Sequence, residues 1–546
     1  MNTRIFISCV CFIFAAYVAS AQPKDGQKHK VSPAQYWQMG AMDTDKVFGA
    51  EIWKAYDYLK KVEPKARTIV AIIDGGTELD HEDLKAALWV NRGEIPGNGI
   101  DDDGNGYVDD VHGWNFLGTP DGGTVKTISA EADRYYMYLK KRFEGVDTNR
   151  LSKKDRALYC YYVNELPKIS ELADAYNTYI NVKTYSERMD GFDRQLKEMY
   201  SGVELGKEHF VALGEKLENA ADKEAFEYYL DRWKYSPKYN WEQMLNLRHT
   251  LLTTFEGRYN SKLRAYEADG RKSVGDDLNN IKDRFYGNAV MTPHEHGSHV
   301  AGIIGATRNN GVGIDGVADV RLMSLRVCTD GGDEYDKDVA TAIRYAVENG
   351  ANIINISLGR SVSMHREWLD AALRFAEKKG VLVVHAAGNN GRCTNDAYDY
   401  PTRYLSNGKT VANLINVGNS YADGMPVNSS NFGKDEVDLF AQGGAVYSTI
   451  VGNQYKEFTG TSMAAPVVAG VAALIWNYFP ELSVKELKQV LLDGVTSRRG
   501  VEVTRPAGIK ALGKDKVYFE DLCASGGILN ALGSVKLAEK LCKEKK

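Results

Sequence analysis

The chain has 546 residues, material for several domains and a large hydrophobic core, which excludes a mini-protein. Basic and acidic residues nearly cancel, 68 against 73 for a net charge of -5, so neither a nucleic-acid footprint nor a polybasic membrane patch is expected. No internal stretch reaches the ~18 apolar residues of a membrane span.

Residues 1–21 have the make-up of a cleavable signal peptide. Arg4 supplies the positive region, Ile5 to Val18 an apolar run too short to span a bilayer, and Ala19-Ser20-Ala21 a small-x-small cleavage site before Gln22. The mature chain, without a transmembrane segment, is therefore expected in the periplasm or outside the cell. Cys9 and Cys11 leave with the peptide. Cys160, Cys328, Cys393, Cys523 and Cys542 remain, an odd and scattered set that fits isolated thiols or one or two disulfides.

Thr68 to Asp74, T-I-V-A-I-I-D, reads as a strand buried on both faces and stopped by Gly75-Gly76, which puts Asp74 at its C-terminal end. Asp101-x-Asp103-x-Asn105-Gly106-Tyr107-x-Asp109 follows the start of a calcium loop, with the Tyr107 carbonyl at the seventh position. The terminal bidentate Glu is missing, His112 standing there, and Asp110 is a substitute.

Between Lys126 and Phe285 the texture changes. This segment holds 16 of the 32 tyrosines, has only Pro167 and Pro237 as prolines, and shows helical periodicity. Tyr135, Leu139 and Phe143 form one stripe; Trp241, Met244, Leu245, Leu251 and Leu252 form another. Ser152 with Asp155 and Asn240 with Gln243 resemble capping boxes. Residues 126–285 are thus expected to be an all-α insertion within a discontinuous domain of residues 22–125 and 286–546.

Further runs at Ala351–Leu358 and Val381–Val384 read as strands, with amphipathic helices over Asp336–Glu348 and His365–Lys379. Strand and helix alternate as in a three-layer α/β fold with a mostly parallel, doubly wound sheet, whose ligand crevice lies at the carboxyl ends of the strands. Three more segments carry chemistry. His296-Gly297-Ser298-His299-Val300-Ala301-Gly302 opens a helix whose small residues permit close packing. Ala386-Ala387-Gly388-Asn389 follows the V-L-V-V strand. Gly460-Thr461-Ser462-Met463-Ala464-Ala465-Pro466 leads into an apolar helix, with Pro466 assigned to its first turn. Singly, a strand-end Asp is a turn former, a His-x-x-His a structural or metal pair, an Asn beside Gly turn chemistry and a Ser before an Ala-rich helix an N-cap. His294 is a rival to His296, and His299 reads as structural. Their joint occurrence, in this order, outweighs those separate readings.

Together these motifs resemble the subtilisin-like serine peptidases, the subtilases, whose triad runs Asp, His, Ser along the chain. The resemblance covers roughly residues 34–125 and 286 to the C-terminus, where Gly526-Gly527-Ile528-Leu529-Asn530 is similar to the family's closing helix. It implies an exported serine endopeptidase acting on polypeptide through an acyl-enzyme, with no catalytic cofactor. Ser462 would be the nucleophile, His296 the general base, Asp74 its orienting carboxylate, and Asn389 an oxyanion donor beside the Ser462 amide. It also implies that Ser357-Leu358-Gly359 and Ala386-Ala387-Gly388 flank an extended substrate, that Asp399 lies at the base of the first specificity pocket and favours a basic residue before the scissile bond, and that Asp83 and Asn310, with carbonyls near Val312 and Ile314, form a second calcium site. Two departures stand out: Gly75 replaces the usual Ser or Thr after the Asp, and the stretch from Gln22 to Asp74 leaves no room for the usual propeptide. The rival expectation is a catalytically silent, calcium-binding adhesion protein with a subtilase shell.

Overall fold

The computed structural model describes residues 33–395, 398–508, 513 and 515–545. The segment 1–21, expected to be a signal peptide, lies outside them. Two short helices, α1 (Met42–Asp45) and α2 (Ile52–Leu59), lead into β1 (Ile69–Asp74), and β2 (Gly113–Asn115) follows. Six helices then succeed one another: α3 (Glu131–Phe143), α4 (Lys153–Asn164), α5 (Glu171–Met199), α6 (Lys207–Gly214), α7 (Ala220–Tyr235) and α8 (Trp241–Glu267). The chain returns to alternating elements with α9 (Glu295–Gly305), β3 (Arg321–Arg326), α10 (Asp336–Glu348), β4 (Ile353–Ile356), α11 (Arg366–Lys378), β5 (Leu382–Ala386) and β6 (Leu414–Ser420). After β7 (Leu439–Gln442), a hairpin of β8 (Val446–Ile450) and β9 (Gln454–Phe458) precedes α12 (Thr461–Tyr478) and α13 (Val484–Asp493). The C-terminal part adds β10 (Thr496–Ser497), β11 (Glu502–Thr504), β12 (Lys516–Tyr518), β13 (Gly527–Ile528) and α14 (Ala531–Glu544).

Nine strands form one sheet in the order β10-β13-β7-β6-β5-β4-β1-β3-β2. All its pairings are parallel except β10 with β13. The apolar runs are explained by cover on both faces. Val70 and Ile72 of β1 point into one core with α9 and α12, while Ala71 and Ile73 point into the other with α10 and α11. This is the expected three-layer, doubly wound α/β fold. The strand order reverses direction around β1, whose neighbours are β3 and β4, so a crevice opens at their carboxyl ends. Register places the chemistry there: Asp74 is level with Arg326, Ile73 with Ile356, and Ile356 with His385.

Among the described residues one helix, α12, is long and apolar enough to cross a membrane. It is a core helix, packed against the sheet along nearly its whole length.

The helical segment has cores of its own. Phe192, Phe210, Trp233, Trp241 and Met244 pack at one end, where α5 to α8 meet. Tyr136, Leu139, Phe143 and Leu172 pack at the other, together with Val362 of the α/β part. The tyrosines explain themselves here: rings such as Tyr136 on Tyr162 and Tyr179 on Tyr259 stack between helices. The Ser152 hydroxyl accepts from the Asp155 amide at 3.1 Å, and Asn240 with Gln243 closes a full capping box. The cysteines from Cys160 onward are all free, with Cys160 exposed and Cys523 and Cys542 buried.

Candidate active site

Asp74 ends β1 with 1% exposure, and its Oδ1 accepts from the Gly75 amide at 2.7 Å. His296 opens α9, and its Nδ1 lies 2.8 and 3.0 Å from the two Asp74 oxygens. A proton on Nδ1 makes this a hydrogen bond from the imidazole to the carboxylate, so Nε2 is left free to take a proton. Burial disfavours the imidazolium of His296, but the charge and hydrogen bond of Asp74 outweigh it and hold its pKa above the ordinary histidine value. His294, the rival base, does not contact Asp74. Its ring packs on Gly75, where a Cβ would come 2.5 Å from Cγ, so it occupies the space that a Ser or Thr side chain would need. His299 is structural, as expected: its Nε2 meets the Lys456 carbonyl at 2.9 Å, its ring stacks on Phe458, and burial lowers its pKa to about 3. The small residues of α9 act as expected too, since a Cβ on Gly297 would strike the Gly76 carbonyl and one on Gly302 the side chains of β8.

Ser462 is the second residue of α12, so its backbone amide has no partner within the helix and the dipole favours negative charge beside it. Its hydroxyl donates to the Ser357 carbonyl at 2.9 Å, and the Ser357 hydroxyl donates back to the Ser462 carbonyl at 2.9 Å. Pro466 explains why that carbonyl is available. It is the sixth helical residue, not a member of the first turn, and having no N–H it leaves the carbonyl four residues earlier unpaired inside the helix. The sequence expectation is corrected accordingly: the proline sits where it frees an acceptor. Ser357 takes that acceptor and ties the end of β4 to the reactive turn.

Asn389 follows β5. Its Oδ1 accepts from the Thr461 amide at 2.9 Å and hydroxyl at 3.2 Å. With the oxygen so engaged, the side-chain NH2 is turned away from Thr461 as a donor. The Thr461 hydroxyl in turn accepts from the Gly388 amide at 3.1 Å. Sequence reasoning passed over Thr461, although its place between Gly460 and Ser462 was a signal. It also missed His385, inside β5, whose Nε2 donates to the Leu358 carbonyl at 2.9 Å and whose pKa burial lowers to about 4. A neutral His385 can thus hold the segment Ser357-Leu358-Gly359 in place. Arg326, level with Asp74, donates to the Gly75 carbonyl. The last omission is Asn431, which donates to the Ala387 carbonyl at 2.8 Å while its Oδ1 accepts from the amides of Asn390 and Arg392. Nothing local in the sequence marks the last three, because each acts through a partner distant along the chain.

Asp399 lies below Gly388 at 4% exposure. Its partners belong to the chain itself: Arg392 meets Oδ1 at 2.5 Å and Asn431 meets Oδ2 at 2.6 Å. Both oxygens of Asp399, the residue expected to favour a basic substrate residue, are thus bonded within the chain.

Of the predicted calcium ligands, Asp101 and Asp103 converge, joined by Glu94, and their oxygens lie within 4.8 Å of one another. This arrangement of hard oxygens fits a divalent cation. Asn105 borders it, its Nδ2 donating to Asp103 at 3.2 Å and Asp110 at 3.0 Å. Asp109 points elsewhere, accepting from the amides of Gly97, Asn98 and Gly99, and the Tyr107 side chain is buried against Trp114 and Tyr345. Glu94 lies outside the linear motif, which is why the pattern missed it. Asp83 and Asn310 meet at 2.7 Å, with Asp83 fully buried and also accepting from the Ile314 amide at 2.8 Å.

Residues 65–509 match the subtilase family. The chain belongs to this family. Among relatives, a thermophilic serine proteinase of Bacillus sp. (strain AK1) is 41% identical over 34% of this chain and 43% of its own length. A halolysin-like extracellular serine protease of Natrialba magadii is 36% identical over 37% of this chain and 35% of its own. Subtilisin DY of Bacillus licheniformis is 35% identical over 37% of this chain and 70% of its own. This subtilase thus spans less than half the length of the first two relatives.

Proposed function

We propose that this subtilase is a serine endopeptidase that hydrolyses polypeptides by an Asp74-His296-Ser462 triad. The observation that carries the reading is the contact of His296 Nδ1 with both Asp74 oxygens, at the mouth of the crevice where Ser462 opens α12. In this reading Ser462 Oγ attacks the peptide carbonyl as its proton passes to His296 Nε2. Asp74 stabilises the imidazolium without taking the proton. The oxyanion is met by the Ser462 amide and the Asn389 NH2, each such donor contributing on the order of 3 kcal/mol in the transition state. His296 then protonates the leaving amine, and water, activated by the same histidine, resolves the acyl-enzyme. Ser462 is hydrogen-bonded to Ser357 in the free protein, so substrate entry must turn its hydroxyl toward His296; such bonds commonly tighten only in the substrate complex.

Residues 126–285 are read as an insertion into a peptidase domain of residues 22–125 and 286–546. Export through the 1–21 signal is supported by its composition and by the extracellular relative. Calcium is the expected structural ion, held by Glu94, Asp101 and Asp103, with Asp83 and Asn310 as the second position; a melting temperature unmoved by chelator would count against both. The experiment that tests the main reading is labelling with a fluorophosphonate. The folded, calcium-loaded protein is expected to label, and Ser462→Ala is expected not to. Absence of labelling in the former would instead favour the silent adhesion protein.

A further inference from the structure

In the endopeptidase reading a substrate side chain lies beside Ser462 between Ser357 to Gly359 and Ala386 to Gly388, two segments bonded to the start of α12 through Ser357 and Gly388. Asp399 forms the floor directly beneath Gly388, where a Cβ would come 2.5 Å from Oδ2. Ser361, just beyond the opposite wall, reaches Oδ1 at 3.5 Å. A substrate side chain lowered between the walls therefore ends at this carboxylate.

It does not find the carboxylate bare. Oδ2 accepts from Asn431, which simultaneously grips the Ala387 carbonyl and so is fixed by the wall itself. Oδ1 accepts from Arg392, whose guanidinium also donates to the Tyr398 carbonyl at 3.1 Å. The two members of the ion pair are unequally covered: the Arg392 side chain is 26% exposed, that of Asp399 4%. Of the pair the cation is the more accessible member, and the anion is already bonded on both oxygens. A substrate Arg or Lys would face like charge and would have to displace Arg392 to reach Asp399. Leaving either charge buried and unpaired is costly, so the floor stays neutral unless Arg392 is removed.

We infer that Arg392 is a specificity-determining residue: it neutralises Asp399 at the base of the slot, disfavours Arg and Lys before the scissile bond, and conceals a site that would otherwise select them. The inference rests on the endopeptidase reading for its substrate but on the ion pair for its content. Peptides differing only in Arg, Lys, Leu or Phe before the scissile bond are compared on the full chain and on Arg392→Ala, Arg392→Gln and Arg392→Ala/Asp399→Asn. Wild type is expected to cleave the Arg peptide no better than the Leu peptide. Either single substitution should raise the Arg-to-Leu ratio of kcat/KM by about 10–100-fold, the equivalent of one charge-assisted hydrogen bond, and the added Asp399→Asn should abolish the gain. A wild-type preference for Arg, or a ratio unchanged in both single variants, overturns the inference. If wild type neither labels with fluorophosphonate nor cleaves any peptide, the peptidase reading has failed, and calorimetric binding of benzamidine still decides this one: tighter binding to folded Arg392→Ala than to wild type supports it, and equal binding overturns it.

Discussion

The reactive edge of the sheet and the helical segment 126–285 are held together by different kinds of contact. At the edge, almost every reactive group is tied to main chain or a buried neighbour: Asp74 to the Gly75 amide, Asn389 to the Thr461 amide, Ser357 to the Ser462 carbonyl, and the Leu358 carbonyl to His385. Such bonds fix position to a fraction of an ångström, as transition-state stabilisation demands. Toward its far end the helical segment is held side chain to side chain, by apolar and aromatic packing in a small core and by bonds between helices such as Arg248 to Asp190, Arg188 to Asp222 and Trp241 to Asp193. The two regions meet through buried ions. Glu131 and Arg134 of α3 pair with each other, and the Met364 amide donates to Glu131. Arg360, next to the slot wall at Gly359, is clamped between Glu334 and Asp336. At the other stem Arg271 binds Asp276 and Asp338 at 2.5 and 2.6 Å with no exposure. The helical segment is thus held at its tip by contacts among its own side chains and, where it adjoins the cleft, by buried charges.

The largest test of the contrast is at the edge. Asp74→Asn is expected to lower kcat by about 10⁴-fold, because the amide favours the wrong imidazole tautomer. The same substitution has a pH signature. His296 must be neutral to act as base, so activity rises with pH through its pKa, which Asp74 holds above the ordinary value. Removing that charge should move the acid limb of the pH–kcat/KM profile to lower pH; a limb that stays in place would show that another group sets it. At the junction, Arg360→Ala leaves Glu334 and Asp336 unpaired in the interior, and a loss of about 3–5 kcal/mol is expected in denaturant unfolding. Back at the edge, Asn389→Ala should reduce kcat by roughly 10²–10³-fold with little change in KM, since its amide serves the transition state more than the ground state. The smallest effect belongs to the tip. Met244→Ala should cost roughly 2 kcal/mol, read as a lowered unfolding transition of the helical part, while turnover of a short peptide stays within error. A fall in that turnover would erase the distinction drawn between tip and cleft.

Much of the fold was legible because parallel strands covered on both faces must be continuous apolar runs. The stretches at Thr68–Asp74 and Val381–Val384 are such runs and became β1 and β5. The expected helix over Asp336–Glu348 matches α10 end to end, since its apolar stripe and polar face recur at helical spacing. The acidic cluster was legible only in part: local spacing singled out Asp101 and Asp103, but their companion Glu94 comes from outside the motif. Asp399 was singled out by its sequence context, whereas its pairing with Arg392 and Asn431 was not legible there.

By itself the sequence determined what is written in residue type and local spacing: the alternation of strand and helix, the helical texture of residues 126–285, and four chemically distinctive segments in order. Tertiary structure decided which of those groups meet. It chose His296 over His294, since only the former is hydrogen-bonded to Asp74, and it gave the Ser462 carbonyl, freed by Pro466, to the Ser357 hydroxyl. It also brought Asn431 onto Asp399, beside Arg392. Bonds between residues far apart in the chain depend on how elements pack, and packing is a property of the whole sheet and its helices rather than of any one segment.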